Sequence, residues 1–187
     1  MKWLVLSAGH ECSYTRRIEK RKARRIGPDN GNAAASMQRD RNAVDANKAL
    51  VRRYYEDVVN TGAVDRVAEF VSADYTEVHD GTVYPIGIEG AREHILGVRR
   101  TYPDLHLTVE QQIAEGEWVA TRVTMRGTHR GEWLGIMPTG KQVQMTAVNL
   151  DRVIDGRIVE HGGAASMLGP LLEIGAIRVV TAQDTES

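Results

Sequence analysis

His161 carries the side chain best suited to moving a proton near neutral pH, since an unperturbed imidazole titrates at ~6.5. On a strand it would share a face with Val159 and Gly163. Asn149, between Val148 and Leu150, could donate a hydrogen bond to a carbonyl oxygen. Arg122 could orient a carboxylate or an enolate through its planar guanidinium, and strand alternation puts it on one face with Trp118, Ala120 and Thr124. Tyr55 could offer its phenol to a ligand, and His79 closes an extended segment before the Asp80-Gly81 turn. Each group also has a plain structural reading. His161 could be hydrogen-bonded at the end of a sheet, Asn149 satisfied by other protein groups, and His79 exposed beside its turn. Arg122 could pair with a sheet carboxylate such as Glu110, and Tyr55 could simply fill the core. Asp104 after Pro103 reads as a turn residue bonding nearby backbone N–H groups, and His129 as structural or at a pocket rim.

Composition narrows the setting of these groups. The chain has 187 residues, 42% of them hydrophobic, with 24 Lys and Arg against 25 Asp and Glu, which suits one domain with a real core. The net charge of -1 gives no general case for nucleic acid or an anionic membrane. One cysteine, Cys12, excludes an internal disulfide framework and a Cys-rich metal site, and no apolar run approaches the ~20 residues of a membrane span. A cytoplasmic protein without a metal is expected.

The charge is uneven. Residues 1–41 hold ten basic and four acidic groups, so the body from 42 onward is acidic. A basic arm of this kind either binds RNA or an acidic partner or is a solvated, disordered tail, and Gly27-Pro28-Asp29-Asn30-Gly31-Asn32 should break any helix there. Residues 1–44 are therefore expected to lie outside the fold, with a domain over 45–178 and a tail over 179–187. Met37 is an alternative start. Trp3-Leu4-Val5-Leu6 is too short for the core of a signal peptide.

Within the domain, Leu50, Val51, Tyr54, Tyr55, Val58 and Val59 recur at helical spacing, which predicts a helix over 47–60 ended by Thr61-Gly62. A short helix over 64–70, an extended segment over 73–78 and a helix over 90–102 closed by Pro103 follow. Strands are expected over 105–113, 118–125, 143–154 and 157–161, the last two joined by the hairpin signal Asp155-Gly156. Leu168 to Ile174 reads as a closing helical turn. Helices first and an antiparallel meander after them predict an α+β domain.

Several phrases in order carry a family resemblance: Val51-Arg52-Arg53-Tyr54-Tyr55-Glu56, Tyr102-Pro103-Asp104-Leu105, Gly127-Thr128-His129-Arg130-Gly131, Gly135-Ile136-Met137-Pro138-Thr139-Gly140 and Asp155-Gly156-Arg157-Ile158-Val159-Glu160-His161. Over about residues 46–177 the chain resembles the SnoaL-like polyketide cyclases. That resemblance implies an NTF2-like cone, a curved antiparallel sheet with N-terminal helices packed on its concave face, and a pocket between them. It implies a cofactor-independent aldol-type ring closure of a small apolar, polyketide-like carbonyl compound, in a homodimer paired through the outer sheet face. The family's acid/base aspartate falls at Gly163, and a second family aspartate falls at Ser166. With that aspartate absent, His161, Asn149 and His79 are the groups expected to act in catalysis, and Tyr55, Arg122 and Trp118 those expected to bind substrate. A receptor that binds without converting its ligand, and an epoxide hydrolase or hydroxylase using Asp151, are the alternative functions.

Overall fold

The computed structural model describes residues 30–133 and 135–179. The basic cluster that ends at Arg25 and most of the expected C-terminal tail lie outside the described residues.

The first helix, α1 (Asn30–Arg53), starts well before the expected 47, so residues 30–44 continue it toward the N-terminus. Its run Ala33-Ala34-Ala35 favours helix, and elongating a helix already anchored on a core costs little. From Ala34 to Ala43 the helix stays exposed, and burial sets in toward Val51. α1 then loosens into a π-helical stretch over Tyr54–Val59, where Asn60 N–H donates to the Tyr55 carbonyl at 2.9 Å. The extra residue in that turn sends both Tyr54 and Tyr55 into the core beside Val51 and Val58. Gly62 ends the segment with φ +73°, and a 3₁₀ helix follows at Val64–Glu69.

The sheet has six strands: β1 (Val71–His79), β2 (Thr82–Pro85), β3 (His106–Glu115), β4 (Trp118–Thr128), β5 (Gln142–Ile154) and β6 (Arg157–Ala165). Their spatial order is β2-β1-β6-β5-β4-β3. The sheet is mixed and not wholly antiparallel, because β1 runs parallel to β6 while every other pair is antiparallel. Helix α2 (Gly87–Thr101) connects β2 to β3, and α3 (Leu168–Ile174) closes the chain. Both tight hairpins, Asp80-Gly81 and Asp155-Gly156, have positive φ at both turn residues, the geometry that matches strand twist.

A core packs between the curved sheet and the helices. Tyr54, Tyr55 and Val58 meet Phe70, Tyr75, Ile95, Val119, Val123, Val153 and Ile158 there. A second cluster joins Tyr102, Leu105, Met125, Val143 and Ile174. The Gly-Thr-His-Arg-Gly phrase serves this second cluster. A Cβ at Gly127 would press on the Tyr102 ring, and one at Gly131 would lie 2.2 Å from the Arg100 carbonyl, so only glycine lets this segment lie on the end of α2. No helix among the described residues is long and apolar enough to cross a membrane.

Candidate functional site

Strand register assembles the site. Glu77 on β1 pairs with His161 on β6, His161 with Asp151 on β5, and Asp151 with Val119 on β4, so these four side chains form one row on the inner face. The adjacent inner row runs Gly163, Asn149 and Thr121. Asp151 is fully buried, and a buried carboxylate must be hydrogen-bonded to be tolerated. Its two oxygens are divided between two donors. His161 Nδ1 lies 2.8 Å from Oδ1, and the Tyr55 hydroxyl donates to Oδ2 at 3.0 Å. The Asn149 amide donates in turn to the Tyr55 oxygen at 3.0 Å. Burial pushes the His161 imidazole down, but the charge and hydrogen bond of Asp151, with the charge of Glu77, outweigh it and hold its pKa above the usual value. Burial and the Asp151 carboxylate push the Tyr55 phenol well up, which keeps it a neutral donor.

One pleat away, Glu77 collects a second set of partners. His94 from α2 bonds Oε1 through Nδ1, His79 bonds Oε2 through Nε2 at 3.1 Å, and the Tyr75 hydroxyl donates to Oε1 at 3.3 Å. Burial alone would raise the Glu77 carboxyl; the hydrogen bond and charge of His94, the hydrogen bond of His79 and the charge of His161 overcome it and hold it at about 2. The carboxylates are buried while the imidazoles reach outward. The side chain of Glu77 is 9% exposed, against 20% for His161, 41% for His94 and 47% for His79.

Of the groups singled out in the sequence, His161, Asn149, Tyr55 and His79 therefore come together. Tyr55 is almost wholly buried, so it holds Asp151 in place and has no free face for a ligand. Arg122 and Trp118 do not join this group. Arg122 pairs with Val148 and Trp118 with Arg152, positions of β5 that alternate with Asn149 and Asp151, so both project from the outer face of the sheet. There the Arg152 guanidinium sits 5.9 Å from the Trp118 ring, and Arg122 makes no ion pair with Glu110 among the described residues.

Glu77 and His94 escaped the sequence reading. The available signals were the alternation Tyr75, Glu77, His79 along β1 and the place of His94 beside Ile95 on the helix stripe that carries Ala91. Asp104 does not bond the backbone N–H groups beside it as expected; its carboxylate reaches the end of β4, accepting from the Thr128 hydroxyl and N–H, each at 2.6 Å, and these bonds lower its pKa. His129 is wholly buried, with Nδ1 facing the Thr139 hydroxyl at 3.2 Å. Gly163 lies tight against β5: a Cβ there would stand 2.5 Å from the Val148 carbonyl oxygen and 2.9 Å from Asn149 Cα.

Two surface clefts open elsewhere. One of about 460 Å³ is lined by residues including Asp104, Arg126, Gln144 and Glu173, and one of about 500 Å³ lies between Val44, Asn47, Glu117 and Ile154. Among the described residues no three His, Cys, Asp or Glu side chains are grouped so as to hold a metal ion.

The model of the SnoaL-like polyketide cyclases matches residues 49–174. An aklanonic acid methyl ester cyclase of Streptomyces galilaeus, AcmA, is 29% identical over 131 residues, covering 68% of this chain and 89% of its own. The nogalonic acid methyl ester cyclase of Streptomyces nogalater is 30% identical over 125 residues, covering 62% of this chain and 88% of its own. Among solved structures, AclR, a candidate hydroxylase from S. galilaeus, superposes with a TM-score of 0.65 at 27% identity, over 75% of this chain and 87% of that one. IdmH from Streptomyces antibioticus, a candidate polyketide cyclase, does so with a TM-score of 0.59 at 30% identity, over 69% and 98%.

Proposed function

This chain belongs to the SnoaL-like polyketide cyclase family, and from that premise we propose that it closes a ring in a polyketide-like carbonyl compound by an intramolecular aldol step, with His161 as the base. The observation that carries this reading is the His161–Asp151 pair. Asp151 engages Nδ1 and leaves Nε2 without a hydrogen-bond partner among the described residues, on a ring that is partly exposed. A carboxylate behind an imidazole fixes its tautomer and stabilises the imidazolium formed when Nε2 takes a proton. That is the task of a base removing a proton beside a carbonyl. Asn149 and Tyr55 hold Asp151 from its other side, so the pair is rigid before substrate arrives.

Gly163 supports the same assignment. The backbone of β5 fills the space a side chain at 163 would need, so no carboxylate can act from that position while the strands stay paired as they are. Proton transfer then passes to the next inward residue of β6, His161. The substrate class suggested by the methyl ester cyclases among its relatives is the methyl ester of an aromatic polyketide-derived acid. Its reaction needs proton transfers and positioning alone. An epoxide hydrolase of the paired-carboxylate type would place an arginine between its two acids, and Arg122 lies on the opposite face.

The test is turnover of the methyl esters of aklanonic and nogalonic acids, followed by chromatography and mass spectrometry. The purified protein should give a product of unchanged mass and altered retention, and His161→Gln should lower the rate by ~10²-fold or more. Substrate that binds and is recovered intact would establish the receptor reading instead.

A further inference from the structure

Ring closure needs a second proton. As the new carbon–carbon bond forms, the accepting carbonyl becomes an alkoxide, and an acid poised at that oxygen stabilises the charge. His161, having taken the first proton, cannot serve both atoms at once. Asn149 is an amide with no proton to give up, and Tyr55 is buried behind Asp151.

We propose that His94, seated on Glu77, is a second catalytic residue: the acid that protonates the accepting carbonyl oxygen. This rests on the cyclase reading above and deepens it. Three observations support it. First, Glu77 and His161 are direct partners across β1 and β6 on the inner face, so one carboxylate links the imidazole of His94 to the strand position next to the base. Second, the carboxylate of Glu77 is buried and accepts from three donors, among them His94 Nδ1, so the His94 ring is anchored on a fixed hydrogen-bonded group. Third, His94 is engaged through Nδ1, its Nε2 has no partner among the described residues, and its ring is well exposed where that of Glu77 is not.

His79 shares the same carboxylate but lies at the end of β1, beside Tyr84, facing the β1–β2 hairpin. His94 comes from α2, whose Ala91 and Ile95 pack into the core over the sheet, and so lies over the concave face.

The step balances without a co-reactant. His161 Nε2 takes the α-proton, and the carbanion's electron pair forms the new bond to the carbonyl carbon. The π pair of that carbonyl moves onto its oxygen and takes the proton from His94 Nε2. Exchange with solvent then returns one proton to His94 and removes one from His161, so substrate and product are isomers.

The two roles separate in heavy water. Aklanonic acid methyl ester is incubated with the full chain in D₂O, and both ring closure and deuterium at the α-carbon of recovered substrate are followed against a protein-free control. His161→Gln should lose both. His94→Gln should lose ring closure by ~10²-fold while still deuterating the α-carbon above the control, and that retained exchange also certifies that the variant is folded. Closure at the wild-type rate by His94→Gln would overturn the proposal, and so would a parallel loss of exchange. A wild-type protein that neither exchanges nor closes the ring would overturn the cyclase reading itself, and the acid with it.

Discussion

Replacing Glu77 by Gln should cost about 3 kcal/mol of stability at neutral pH, and the cost should fade on acidification. The folded protein holds this carboxyl at about 2 against an ordinary 4.5, and each pKa unit is worth ~1.4 kcal/mol. The group is almost fully buried, so solvent screening does not dilute the effect. Because the folded pKa is depressed, the stabilisation is complete above 4.5 and is lost as the pH falls toward 2. By pH 3 roughly 2 of the ~3 kcal/mol should be gone, since the unfolded carboxyl is then mostly protonated and the folded one is not. Urea denaturation of wild type and Glu77→Gln, followed by circular dichroism at pH 7, 4 and 3, reads this directly. The two proteins should differ most at pH 7 and converge as the pH drops. A difference below ~1 kcal/mol at pH 7, or one constant across the series, would refute the claim that His94 and His79 hold an ionised Glu77.

Three further outcomes follow from the geometry. Gly163→Ala should destabilise the fold by roughly 1–3 kcal/mol, because its Cβ meets the Val148 carbonyl at 2.5 Å and must push β5 away; a thermal melt within a degree of wild type would contradict that contact. Asp151→Asn removes the charge that raises the His161 pKa and leaves the burial that lowers it, so the rising limb of the kcat/KM profile should move to lower pH while its plateau falls; an unmoved limb would detach His161 from Asp151. Ile113, Trp118, Val148 and Leu150 leave apolar surface exposed on the outer sheet face, which is expected to pair two copies; light scattering should read twice the chain mass for wild type and one chain mass for Leu150→Asp.

Local signals were enough for most of the fold. Helical spacing at Val51, Tyr54, Tyr55 and Val58, strand alternation in β3 and the Asp155-Gly156 hairpin all report short-range physics, and each of these elements formed where its signal lay. Two elements carried weak signals. β2 is four residues long and ends in Pro85, which is tolerable at the sheet's edge but reads as a loop. The early turns of α1 contain Gly31 and polar residues, and their helicity depends on the anchored part downstream. The π-helical turn at Tyr54–Val59 had no sequence signature, because its extra residue is fixed by where Tyr54 and Tyr55 find room in the core.

The site was legible only where it depended on alternation within one strand. His161 and Gly163, or Asn149 and Asp151, share a face by counting, and the structure keeps them together. Counting also groups Arg122 with Trp118, but it does not say which face turns inward. The apolar series Val119, Val123 and Met125 held that information, since a strand buries its more continuous apolar face. Glu77 beside His161 depends instead on a parallel pairing between the first strand and the last, across the whole domain, with a register shift between Val71 and Thr76. No local pattern encodes such a pairing. The consequence is chemical as well as topological. A glycine at 163, where the family resemblance implies an acid, reads in sequence as a lost activity. In three dimensions the same glycine lets β5 close on β6, and that closure seats Asp151 against His161 and Asn149 against Tyr55. In the proposed reading, Gly163 gives up a side chain and supplies instead the close strand contact beside the His161–Asp151 pair.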